Sequence, residues 1–377
     1  MSVFFNGRLI TTPTTASVVN DDAMRNANLT VGNVVALVGR SAGGKPKTPL
    51  RFGSPQQARE TLYSGELLEA VLAAFDPSSE TNGPSQVIAM RVNPATQATL
   101  TLKNASAADV ITLTSRGYGD QESLIKVKVE AGSVKGHRLT VQRGSTYFTE
   151  DNVARDAFTI RYWGDETSAS MTIGATSVVL AAPTGTTVAT LSLASFATVQ
   201  DLVDRISLVP GFSAEVADSF SAPTLRGLDF VTAVSLGLEP YTARANLQAV
   251  VDWFNGAKQT FVTAERLSNA GAVPAASDFA FLADGSDGTT LTGDWAATFE
   301  ALQLVDAQWI TPVSSDDAIH AMTDAHCAFM STVGRKERRA ICGTATGTTD
   351  ADAIAKAKAL NSDRMSLVHI GHYDYDN

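Results

Sequence analysis

A mixed α/β fold class is predicted by three features of the sequence. Short buried-strand patterns alternate with amphipathic helices near both ends, the hydrophobic period drops to two in between, and 377 residues exceed one compact unit of about 100–200 residues. The arrangement this implies is a discontinuous α/β domain with a largely parallel sheet, spanning 31–95 and 238–377. An inserted β-sandwich or barrel-like domain occupies 96–237, and an extended N-terminal arm covers 1–30.

The arm is the stretch through TTPTTASVVNDDAMRNANLT, rich in Thr, Asn and Ala with little periodicity. Val34 to Val38 then reads as a buried strand, and Pro55 to Leu62 and Glu66 to Phe75 as helices. In the second helix Leu67, Leu68, Val71, Leu72 and Phe75 share one face. Gln86 to Val92 is another buried strand, so strand, helix and strand form a βαβ unit with parallel strands and a right-handed crossover. Beyond Pro94, Ile125, Val127 and Val129 alternate with Lys126, Lys128 and Glu130, and Leu139 and Val141 continue the alternation. Further strands are expected at Phe158 to Trp163, Ser170 to Ile173, Ser177 to Leu180 and Thr187 to Leu193, with a helix at Val199 to Leu208.

After Glu239-Pro240 the helical period returns at Leu247, Val250, Val251 and Phe254, followed by strand-like Thr260 to Thr263 and Phe279 to Leu282. The pattern then runs helix (Asp294 to Val305), strand (Gln308 to Ile310), helix (Asp316 to Thr332), strand (Arg339 to Cys342), helix (Asp350 to Leu360) and strand (Met365 to Ile370). Such alternation predicts a parallel sheet covered on both faces.

Charged residues make up 18% of the chain, below the usual quarter or so, and a surface of low charge favours association. A net charge of −10 argues against a nucleic-acid partner. Arg335, Lys336, Arg338 and Arg339 form the one tight basic cluster and are expected to be a solvated connector. Two cysteines cannot build a disulfide framework, and MSVFFNGRLITTP lacks a secretory pattern, so synthesis in a reducing cytoplasm is expected. No apolar run nears the roughly 18–20 residues of a membrane span.

The chemical motifs are weak. Gly39 to Pro46 (GRSAGGKP) nearly matches a phosphate-binding loop, but Pro46 stands where the Mg²⁺-binding hydroxyl belongs. Pro49 disfavours a helix start, so KPKTPLRFG should be an extended surface loop. His320, His326, Cys327 and Cys342 fit no zinc spacing; His326 lies on the apolar stripe of its helix, and both cysteines read as small buried hydrophobes. Asp284 to Gly288 reads as a tight turn, lacking the rhythm of a Ca²⁺ loop. Ser314, Ser315, Asp316 and Asp317 read as a helix cap with first-turn acids. No G-x-S-x-G elbow is present, and Ser213 in GFSAE lacks the second Gly. No catalytic, cofactor-binding or metal-binding residue is therefore expected.

Taken in order, VFFNGRLITTP, VGNVVALVGRSAGGKPKTPLRFGSPQQARETLYSGELLEAVLAAFDPS, QVIAMRVNPA, YGDQESLIKVKVEAGSVKGHRLTVQRG, LADGSDGTTLTGDWAATFEALQLVDAQWITPVSSDDAIHAMTDAHCAFMSTVGRKERRAICGTATG and AKALNSDRMSLVHIG resemble the contractile tail sheath proteins of bacteriophages and related injection devices. The resemblance covers almost the whole chain. It implies a non-enzymatic subunit without cofactors that stacks with itself as six-membered rings around a tail tube protein, between baseplate and tail terminator, in a virion tail assembled in the bacterial cytoplasm. A tailocin or another contractile injection system would use the same subunit, and an α/β hydrolase is the competing reading. The resemblance also implies assembly contacts through the arm, for which Val3, Phe4, Phe5, Leu9, Ile10, Val18 and Val19 are the candidate residues. Family members continue beyond the strand matching SLVHIG, so the family's C-terminal region is expected to be missing here.

Overall fold

Val35–Gly39 and Val87–Arg91 are nearly all buried and pair in parallel, as a βαβ unit requires. The computed structural model describes residues 3–5, 8–10, 34–78, 80, 83–217, 227–267 and 270–369. The chain forms two compact units: Met1–Thr96, Gly117–Gln121 and Ser286–Asn377, and Gln97–Arg116 with Glu122–Gly285.

The first unit is built on a six-stranded sheet ordered Met365–Val368, Arg339–Gly343, Trp309–Pro312, Val35–Gly39, Val87–Arg91 and Pro49–Phe52. Five strands are parallel, and the edge strand Pro49–Phe52 runs antiparallel to Val87–Arg91. This corrects the expected surface loop. Proline lacks a ladder donor, which suits Pro49 to the start of an edge strand, and Phe52 is buried.

Helices Pro55–Leu62 and Glu66–Phe75 cover one face, packing Leu62, Leu67 and Val71 on Leu37, Val87 and Ala89. Each such buried side chain contributes about 1.5–3 kcal/mol. Ser54 caps the first helix by accepting from the amide of Gln57, with Pro55 in the first turn. On the other face, helices Thr292–Leu302 and Asp317–Thr332 bury Phe299, Leu302, Ile319 and Cys327 with Ala36, Ile88, Met90 and Ile310 in the same core. Helix Asp350–Leu360 adds Leu360.

Coverage of both faces holds for only half the sheet among the described residues. On the face of helices Pro55–Leu62 and Glu66–Phe75, Ile341 is 38% and Val368 39% exposed. Strand periodicity tells which way a side chain points, but not whether another element lies over it.

The second unit is β-rich, with antiparallel sheets and two cores. One core gathers the alternating Ile125, Val127, Val129, Leu139 and Val141 under Leu247, Val250 and Phe254 of helix Asn246–Asn255. The other gathers Phe158, Ile160, Met171 and Leu180 with Val199, Leu202 and Ile206 of helix Val199–Ser207. Strands Tyr241–Arg244, Val262–Arg266 and Ser277–Phe281 pair with Asp156–Tyr162, Asp109–Ser115 and Lys126–Ala131. Residues 238–285 therefore pack with the β-rich unit, whereas the sequence reading joined them to the α/β domain. A strand's own pattern does not name its partner.

At the N-terminus, Val3–Phe5 and Arg8–Ile10 form an antiparallel hairpin with Val3 opposite Ile10 and Phe4 opposite Leu9. Among the described residues no helix is long and apolar enough to cross a membrane.

Candidate functional site

The carboxyl ends of the parallel strands are where α/β sheets usually carry their chemistry, and here that end is organised by a buried cation. Arg91 closes strand Val87–Arg91 with its side chain wholly buried. Its Nη1 donates to the carbonyls of Gly44 and Tyr118, each at 2.9 Å, and its Nη2 to Asp287 Oδ1 at 2.8 Å. Burial lowers the guanidinium pKa, and the Asp287 carboxylate opposes that shift. Asp287 Oδ1 also accepts from the Asp120 amide, and Asp120 Oδ1 from the Asp287 amide. Asn93 donates to the carbonyls of Ser41 and Asp287. Gly119 has φ +117°, and a Cβ there would fall 2.3 Å from Asp287 Oδ1 and 2.4 Å from the Ala42 carbonyl. Only glycine permits that approach. Sequence reading took Asp287 for part of a turn; its role as counter-ion to Arg91, 196 residues away, left no local signal.

The near-match to a phosphate loop has the amides of Ser41 and Ala42, and of Lys47 just beyond it, engaged within the protein. Asn93 Oδ1 accepts from the Ser41 amide, the Ser64 carbonyl from the Ala42 amide and the Arg91 carbonyl from the Lys47 amide. A Cβ on Gly43 would lie 2.3 Å from the Thr61 carbonyl, so the loop is folded onto the helix pair. A strand follows it, and Lys47 pairs with Asp294 at 3.0 Å. A groove of about 820 Å³ at the strand ends is lined by Arg40, Glu66, Trp295, Ser314, Asp316 and Thr344 among others. Its charges are already engaged: Arg40 pairs with Glu66 at 2.9 Å, and Asp316 caps its helix by accepting from the Ala318 amide at 2.8 Å. The expected cap at Ser314 to Asp317 is thus present.

The His and Cys cluster is dispersed through the core. His320 Nε2 sits 2.8 Å from the Ser314 carbonyl. Burial pushes the Cys327 thiol up to about 12 and the Cys342 thiol up to about 11, and both lie among core hydrophobes. Among the described residues no group of three or more His, Cys, Asp or Glu could hold a metal ion.

Arg338 departs from the solvated connector expected of the basic cluster: its neighbours Arg335, Lys336 and Arg339 are exposed, but it is fully buried. It donates to the carbonyls of Leu302, at 3.1 Å, and Val305, at the C-terminal end of helix Thr292–Leu302, where the helix dipole favours a cation. It also donates to His326 Nε2 at 2.6 Å. A guanidinium can only donate, so His326 accepts at Nε2 and is neutral, with its proton on Nδ1.

Burial and, second, the Arg338 charge push His326 from its ordinary 6.5 to about 3. Above pH 6.5 neither folded nor unfolded chain protonates this residue, and its contribution to stability is fully present. Between pH 6.5 and about 3 the unfolded chain takes up a proton that the folded one refuses, so stability falls by up to about 1.4 kcal/mol per pH unit. His326→Gln keeps an acceptor for Arg338 and should flatten the pH dependence of the urea midpoint across that window. A slope equal to that of the unchanged protein would refute this assignment.

Of the candidate assembly residues, Val3, Phe4, Phe5, Leu9 and Ile10 fall in the terminal hairpin, and Val18 and Val19 lie outside the described residues.

The geometry defines a mixed α/β scaffold whose buried charges tie loops and helix ends together. No known family profile matches the chain. It is 28% identical, over 97% of its length, to a protein of Enterococcus phage phiEF24C described as a tail sheath protein. It is 25% identical, over 98% of its length, to the tail sheath protein of Bacillus phage SP01. In both cases it spans 65% of the relative's length. Among solved structures, the sheath tail protein of Desulfitobacterium hafniense aligns at 11% identity with a TM-score of 0.44, over 94% of this chain and 56% of that one. The curated proteins that the chain resembles along nearly its whole length are thus tail sheath proteins of phages.

Proposed function

We propose that this chain is a subunit of a contractile tail sheath, stacking in rings of about six around a tail tube and shortening to drive the tube through a target envelope. The observation that supports this reading is the likeness to tail sheath proteins over nearly the whole chain. An open helical sleeve needs interfaces in which one surface meets a different surface on the next copy. The N-terminal hairpin suits such a contact, because a pair of strands can add to a neighbour's sheet through main-chain hydrogen bonds. The tail tube, baseplate and tail terminator are the sleeve's partners, and the sleeve belongs to a virion tail assembled in the host cytoplasm.

A standard interface buries about 1,600 Å², and only the difference between extended and contracted contacts drives the motion. A few kcal/mol per copy suffices when hundreds of copies act together, while packed interiors stay rigid. Negative-stain microscopy tests the reading. The protein should form rings, tubes or short polymers at high concentration, and deleting residues 1–10 should leave a folded chain that no longer does so. A protein that stays solitary at every concentration sinks the sheath reading, and normal polymers from the deleted form sink the role of the hairpin.

A further inference from the structure

The β-rich unit holds one lobe inserted into another. All members of the core around Phe158, Met171 and Leu180 lie between Ala157 and Ala245. The core around Val127, Leu139 and Val250 draws on the sequence to either side, from Ala98 to Val153 and from Leu247 to Leu282. Among the described residues the two cores share no member, so each buries its apolar side chains by itself. The chain enters the inserted lobe on strand Asp156–Tyr162 and leaves it on strand Tyr241–Arg244, and these strands pair with Asp156 opposite Arg244. Entry and exit therefore stand about 5 Å apart. Two short adjacent connections, 154–155 and 245–246, join the lobes covalently.

Polar bonds gathered at those connections tie the lobes together. Helix Asn246–Asn255 packs in the host lobe, and Ala245 at its N-cap has no side chain to offer its first amides. Asp229 of the inserted lobe caps it instead: its Oδ2 accepts from the Asn246 amide at 2.9 Å and its Oδ1 from the Leu247 amide at 3.0 Å. The Asp229 amide in turn donates to the Arg244 carbonyl, which fixes the carboxylate to the exit strand. At the entry connection the Arg155 carbonyl accepts from the Ala245 amide, and the Arg155 amide donates to Asn246 Oδ1. Arg155 Nη1 reaches Asp252 Oδ2 at 2.6 Å, but both side chains are partly exposed and water weakens the pair. Elsewhere the Phe230 amide donates to the Gly271 carbonyl and Arg266 Nη2 to the Leu228 carbonyl. A carboxylate on two helix amides is charge-assisted and favoured by the helix dipole, which makes Asp229 the strongest of these ties.

We propose that the inserted lobe turns as a rigid body about 154–155 and 245–246, and that the grip of Asp229 on the first two amides of helix Asn246–Asn255 is the latch holding it at one angle. Releasing the latch breaks a few directional bonds at a single joint and leaves both apolar cores packed. The hinge belongs to one copy of the chain and stands whether or not copies assemble into a sheath.

Distances between paired spin labels test it in the full chain. Tyr147→Cys in the host lobe with Val188→Cys in the inserted lobe reads the angle between lobes, and Trp163→Cys with Val188→Cys reads the interior of the inserted lobe; all three positions are exposed. The native thiols are buried and do not compete for label. With Asp229 in place both pairs should give narrow distance distributions. Asp229→Ala should widen the distribution between lobes by about twofold or more and leave the one within the lobe unchanged, and Asp229→Asn, which keeps one acceptor oxygen, should widen it less. A broad distribution between lobes with Asp229 in place, or none of this widening in Asp229→Ala, would overturn the latch. Widening of both pairs together would mean that the lobe unfolds locally and does not turn as a body, which overturns the hinge.

Discussion

Asp287→Ala is expected to destabilise the α/β unit by about 3 kcal/mol or more, and by more than Arg91→Met does. Removing the carboxylate leaves a wholly buried guanidinium without its counter-ion, and an uncompensated buried charge typically costs about 3–5 kcal/mol. Removing the guanidinium leaves the Gly44 and Tyr118 carbonyls without a donor, but Asp287 is one-third exposed and can regain water. That loss should be nearer to about 1–3 kcal/mol. Urea unfolding followed by tryptophan fluorescence reads both, and the reverse order would show that Asp287 is not what balances Arg91. The loops at 40–46, 93–96, 117–121 and 286–288 converge on this pair, so a broad loss of amide protection across all four should accompany either change.

Arg338→Met should cost about 3–5 kcal/mol, because three buried acceptors lose their donor at once: the Leu302 and Val305 carbonyls and His326 Nε2. Arg338→Lys should fall between, since an ammonium on a flexible stem cannot span two helix-end carbonyls and an imidazole as a planar fork does. A second readout separates this role from mere space filling. Burial is the larger cause of the depressed His326 pKa and the Arg338 charge the second, so in Arg338→Met the imidazole should titrate above about 3 yet still below 6.5. A histidine titration unchanged by the substitution would show that the guanidinium exerts no field on the ring.

These two cations mark the boundary between what could be read from the chain and what could not. Helices Pro55–Leu62, Glu66–Phe75 and Asp350–Leu360 have the limits expected of them, because apolar spacing, the Ser54 cap and the Thr349 cap act within a few residues. The buried parallel strands Val35–Gly39 and Val87–Arg91 are legible for the same reason: a continuous apolar run has no solvent-facing alternate. The strand Asp109–Ser115 was missed, since a mixture of Thr, Ser and apolar residues shows little contrast until its partners Thr99–Lys103 and Val262–Arg266 bury one side.

The sequence by itself determined the local elements, the parallel βαβ core and the likeness to tail sheath proteins. Tertiary structure alone decided that residues 238–285 pair with the β-rich unit, that Arg91 meets Asp287 while Arg338 is buried beside His326, and that among the described residues half of one sheet face is left uncovered. The physical reason is common to all of these. Propensity and periodicity act over a few residues, whereas the burial of a charge or of a strand face depends on which distant segment arrives to cover it.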